Sequence, residues 1–169
     1  MAGLYSIRDE PLACDATGMT EALRTLVVAA TALAAGYGLQ AIRTAAVPVS
    51  SPDRLVSELR LAQIGALMLT LAAGAYLGFA AMAETRTGVG LDIALAIGFL
   101  VLAGYTLTCD PRQALTLLAL AFATHALLDI AHRPGVLPED IVPRWYTIGC
   151  AVLNVVFGAF SYLPLLRRQ

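Results

Sequence analysis

Apolar residues in this chain fall into five long runs separated by short polar breaks. The runs cover about residues 23–42, 61–83, 90–108, 112–131 and 145–166. A hydrocarbon layer of about 30 Å needs about 20 apolar residues of helix to cross it, and each run has that length. The breaks carry helix-start signals. Ser51 before Pro52 offers a capping hydroxyl and a proline at the first helical position. Asp110-Pro111-Arg112-Gln113 repeats that arrangement with a carboxylate, and adds a glutamine able to reach back. The turn around Asp110 is so short that the third and fourth helices are expected to be antiparallel neighbours. The fourth run stops at Pro134-Gly135, and Trp145 and Tyr146 open the fifth at the depth of an aromatic belt. The pattern predicts an all-α integral membrane protein, a bundle of about five transmembrane helices with short loops. Residues 1–18 are read as an extramembrane tail and residues 19–169 as one transmembrane domain.

Composition agrees. The 169 residues are 59% hydrophobic and 14% charged, against about 25% charged in an ordinary soluble domain. A net charge of −1 offers no footprint for nucleic acid. All eleven basic residues are arginine. The lack of lysine excludes Schiff-base chemistry on retinal or pyridoxal and a Walker A phosphate loop. Three cysteines without a CxxC imply neither a disulfide framework nor a thiolate metal site, and Cys150 is read as a small packing residue. The alanine and arginine bias points to a GC-rich genome and, with the spans, to a multi-pass protein of a bacterial inner (cytoplasmic) membrane. Arginines divide five to six between the two sides, with a lean toward a cytoplasmic carboxy terminus.

Polar residues inside the apolar runs are the only candidates for chemistry. His125 and Asp129 lie in the fourth run and His132 at its end, and the two histidines are the chain's only ones. At 100° per residue the three fall within roughly 60° of arc, on one helix face. His125 lies about seven residues below the helix end, hence ~10 Å into the hydrocarbon. Topology puts Glu84, Asp92, Trp145 and Tyr146 near the same side of the membrane, with Tyr76 and Asn154 at the depth of His125. The other half shows only the single hydroxyls Thr70, Thr106 and Ser161.

Some of these groups have simple structural readings. Asp92 in a first turn and His132 in a last turn complement helix dipoles, and Asp129 is spaced to pair with Arg133. His125 is harder to account for, because a buried ring needs partners and an intramembrane ionisable residue is a functional hypothesis by default. His125 and His132 are ~10.5 Å apart along the axis, so no single ion is held by all three groups of the fourth helix. A pair, His125 with Asp129 or Asp129 with His132, could supply two ligands only with the rest from Glu84, Asp92 or another subunit, and the expectation is no metal and no cofactor.

An imidazole beside a carboxylate is suited to acid–base work, and a low-dielectric site opening to lipid suits a lipophilic substrate. The first expectation is a small membrane enzyme of isomerase, cyclase or epoxide-opening type. His125, Asp129, Glu84 and Asp92 would be its catalytic groups, and Tyr76, Asn154, His132, Trp145 and Tyr146 would bind substrate. The alternative is a non-catalytic scaffold or assembly subunit of a membrane complex, with the polar groups pairing between helices. Gly74-x3-Gly78 allows close helix approach, read first as packing within the chain and second as a homo-oligomer contact. Expected partners are membrane lipid and a lipophilic small molecule.

Overall fold

The computed structural model describes residues 16–83, 88–133, 137 and 141–166. It is all-helical: α1 (Ala16–Ala46), α2 (Pro52–Met82), α3 (Val89–Thr106), α4 (Pro111–Ala131) and α5 (Arg144–Leu166). All five helices are long and apolar enough to cross a membrane, and the chain is a multi-pass membrane protein. The five expected runs correspond to the five helices, with the first helix starting earlier than read. Of the expected tail, residues 16–18 belong to α1 and residues 1–15 lie outside the described residues. The chain divides into two compact units, Met1–Leu33 and Ala34–Gln169. The second holds the latter part of α1 and all of α2 to α5.

The helix starts follow the sequence signals. The Ser51 hydroxyl accepts the Asp53 N–H at 3.2 Å, with Pro52 in the first turn. The Asp110 carboxylate accepts the Gln113 N–H at 3.2 Å, with Pro111 in the first turn. Both are oxygen caps satisfying a helix-terminal donor. Before α3 the chain passes through Gly88 at φ 84°, a left-handed conformation that only glycine adopts cheaply. That turn uses no side-chain cap, and the Asp92 carboxylate lies in the first turn that follows.

α4 packs chiefly on α5 and then on α2. α3 leans on α2 and touches α4 less extensively. The main core gathers Tyr37, Leu61, Leu69, Leu115, Leu118, Phe122 and Phe157 from four helices. Gly65 makes this possible: a Cβ there would lie 2.6 Å from the Tyr37 hydroxyl and 2.9 Å from a Leu118 methyl. Gly74 and Gly78 do not play that part. Both are exposed and a Cβ at either meets nothing within 4 Å, so the expected packing within the chain is incorrect.

The expectation that the half away from the histidines holds only lone hydroxyls also needs correction. Arg54 and Glu58, in the first turns of α2, are 3% and 2% exposed. Arg54 donates to the Glu58 carboxylate at 2.6 Å, to the carbonyls of Thr44 at 2.6 Å and Val47 at 3.0 Å, and to the Pro164 carbonyl of α5 at 2.6 Å. The exposed Arg112 of α4 reaches the other Glu58 oxygen at 3.3 Å. One guanidinium thus ties the α1–α2 turn, α2 and α5 together, using the rigid donor fork particular to arginine. Charges near a helix start read from sequence as an interface turn, and only the folded loop beside them reveals their burial.

Candidate functional site

The inward face of α4 is set by spacing. Ala114, Leu115, Leu118, Ala121 and Phe122 are buried, and the same stripe continues through His125, Ala126 and Asp129. The two polar residues therefore turn inward with the core rather than toward lipid. They are 3% and 2% exposed.

Around Asp129 three helices supply partners. The Tyr76 hydroxyl of α2 donates to Asp129 Oδ1. The Asn154 amide of α5 donates to Asp129 Oδ2 at 3.0 Å and stands 3.0 Å from His125 Nδ1. His125 Nδ1 is itself 3.4 Å from Asp129 Oδ2, long for a hydrogen bond. The better-placed donor to that nitrogen is the amide N–H. An amide hydrogen directed at Nδ1 makes that nitrogen the acceptor and places the ring's own hydrogen on Nε2. The same amide nitrogen lies 3.3 Å from Cys150 Sγ, one turn earlier on α5.

A second histidine–aspartate pair lies beside the first. His132, the residue after the last turn of α4, holds the Leu128 carbonyl through Nδ1 at 2.8 Å and Asp92 Oδ1 of α3 through Nε2 at 3.1 Å. A carbonyl only accepts, so Nδ1 carries a hydrogen, and the Nε2–Oδ1 contact holds one proton between imidazole and carboxylate. The Tyr76 ring stands between the two histidines, 5.4 Å from each imidazole between ring centres.

Between the pairs lies a cavity of about 20 Å³ lined by Tyr76, Asp92, Leu95, Ala96, Phe99, His125, Leu128 and His132. That is room for one water-sized group. Asp92 is 1% exposed, and its Oδ2 has no hydrogen-bond partner. Among the described residues it is the one buried side-chain polar atom left in that condition. Leaving such an atom unsatisfied costs about 1–3 kcal/mol, more if charged. Leu95 of α3 and Leu128 of α4 are only half-buried, so the cavity approaches the surface along the thinly packed α3–α4 seam.

The structure thus brings together six of the nine expected site residues: Tyr76, Asp92, His125, Asp129, His132 and Asn154. Tyr146 stands one layer out, with its ring 6.2 Å from Tyr76 and 4.8 Å from Phe79. Trp145 is not part of the group; it is 40% exposed, with its ring centre 6.0 Å from that of Tyr146. Glu84 lies outside the described residues. Asp129 does not pair with Arg133, which is exposed, because Tyr76 and Asn154 hold the carboxylate on the inward face. Asp92 and His132 do more than complement helix dipoles, since each is the other's partner. Sequence reasoning missed Phe99, whose ring centre is 4.6 Å from that of His125. It also missed the polar surroundings of Cys150, although its i, i+4 relation to Asn154 put the two on one face. Compared with protein-family models, curated proteins and solved structures, the chain matches none of them.

Proposed function

We propose that this protein is a membrane-embedded acid–base catalyst, of isomerase type, acting on a lipophilic substrate whose oxygen-bearing end enters the cavity between α3 and α4. The observation that carries this reading is the unpartnered Asp92 Oδ2 in a cavity also lined by His125. One side offers an acceptor. The other offers His125, whose Nδ1 is occupied by Asn154 and whose Nε2 carries the hydrogen. An acid and a base on one small cavity suit a reaction that moves a proton without net gain or loss. His125 Nε2–H would polarise the substrate oxygen through a hydrogen bond, while Asp92 Oδ2 would take a proton from one carbon and return it to another. His132 would hold Asp92 by its other oxygen and share its proton through the Nε2–Oδ1 contact. Asp129, Tyr76 and Asn154 are positioning residues that fix the His125 ring. The cavity is too small for a hydrocarbon skeleton, which would lie outside it, along the seam between Leu95 and Leu128.

The test is solvent-proton incorporation. Purified protein in lipid nanodiscs is incubated in heavy water with a bacterial neutral-lipid extract, and mass spectrometry follows deuterium entering carbon positions. The expected result is one lipid class gaining deuterium with the natural chain. Asp92→Asn and His125→Ala, folded and unchanged in elution, should each lower that rate at least ~10²-fold. If no lipid class gains deuterium, or if both variants match the natural chain, the catalytic reading is wrong and the polar groups serve helix assembly.

A further inference from the structure

The geometry points to a second site directly behind the cavity: we propose that His125 Nδ1, Asp129 Oδ2 and Cys150 Sγ form a binding site for a divalent metal ion of borderline softness, such as Zn2+, with the Asn154 amide as fourth ligand. The three donor atoms lie within 4.8 Å of one another, and all three residues are buried. Each also faces a single atom, Asn154 Nδ2, at 3.0, 3.0 and 3.3 Å. That amide nitrogen has two hydrogens for three facing atoms, so it does not serve all three by itself. A cation satisfies all three together.

Distances support the same reading. At 3.4 Å, His125 Nδ1 and Asp129 Oδ2 make a poor hydrogen bond. Two ligands on tetrahedral bonds of about 2.1 Å stand roughly 3.4 Å apart, so this separation suits a shared ion. Turning the Asn154 amide over replaces Nδ2 by Oδ1 at a point facing all three donors, the position of a fourth ligand. The Tyr76 hydroxyl already holds the other Asp129 oxygen, the kind of outer hydrogen bond that orients a metal-binding carboxylate.

Charge and ligand type narrow the ion. A neutral imidazole, one carboxylate and one thiolate carry two negative charges, and a divalent cation brings the set to zero. A neutral assembly is the kind a membrane interior tolerates. The thiol proton leaves as the metal–sulfur bond forms, so uptake releases protons. Nitrogen and sulfur ligands favour zinc, cobalt or copper over magnesium and calcium. An ion on Nδ1 leaves the hydrogen on Nε2, so this site neither requires nor blocks the proton chemistry proposed for the cavity.

Cobalt(II) is the probe, because thiolate ligation gives a charge-transfer band in the near ultraviolet and tetrahedral geometry gives intense visible bands. The experiment uses the full chain without an affinity tag, with Cys14 and Cys109 replaced by serine so that Cys150 is the only thiol. Expected are one cobalt per chain, both bands, their displacement by Zn2+, and a rise in melting temperature with Zn2+. Cys150→Ser should abolish the charge-transfer band, and Asp129→Asn should weaken binding at least tenfold. Melting curves of the metal-free variants show whether each is folded. Cobalt taken up without the charge-transfer band, a band that survives Cys150→Ser in a folded variant, or no uptake at all would overturn the proposal. None of these readouts depends on lipid turnover.

Discussion

At the scale of single residues, the site is a balance between groups that are fully partnered and one that is not. The Asp129 carboxylate is held on both oxygens, by Tyr76 and by Asn154. Removing the phenol leaves one buried carboxylate oxygen without a donor, which costs about 1–3 kcal/mol. Tyr76→Phe is therefore expected to lower the melting temperature by several degrees, while Tyr162→Phe, on an exposed ring, leaves it unchanged. Equal effects from the two substitutions would mean that the Tyr76–Asp129 bond does not hold the site together. Asp92 is the opposite case. Its His132 partner occupies one oxygen only, and the other oxygen has no hydrogen-bond partner among the described residues.

At the scale of helices, the two ends of the membrane-spanning part are built differently. The histidine end joins α2, α3, α4 and α5 through two histidine–aspartate pairs and their partners around a cavity. The other end is closed by Arg54, whose guanidinium spends its donors on Glu58 and three backbone carbonyls. Breaking a buried pair by removing one partner costs about 3–5 kcal/mol because the survivor stays buried and charged. Arg54→Ala should thus lower the melting temperature by roughly 10 °C. Arg112→Ala removes an exposed contact to the same carboxylate and should cost under about 1 kcal/mol. Thermal unfolding in detergent measures both, and a harmless Arg54→Ala would contradict the clamp. The helices themselves were legible in the sequence because length, caps and apolar runs are local properties. Ser51-Pro52 and Asp110-Pro111 marked their helix starts for that reason. The clamp was not legible, since Arg54 is buried by Val47 and Pro164, segments that no local pattern places beside it.

At the scale of the whole molecule, the proposed function rests on the seam between α3 and α4. The sequence brought Tyr76, His125 and Asn154 to one depth by counting residues along helices, a calculation the membrane makes reliable. It counted Trp145 as substrate-binding because that residue lies near the same side of the membrane, but position along a helix does not report facing, and the side chain is 40% exposed. Which carboxylate would stay unpartnered was beyond any such count; it depends on the rotation of α3, which turns Asp92 toward His132. Crystals grown in a lipidic mesophase test the central claim most directly, through the electron density at Asp92 Oδ2. The account predicts an oxygen-sized feature about 3 Å from that atom, also within reach of His125 and continuous with hydrocarbon density along Leu95 and Leu128. Asp92 Oδ2 bonded to a donor of the protein itself, with the seam closed beside it, would contradict the account.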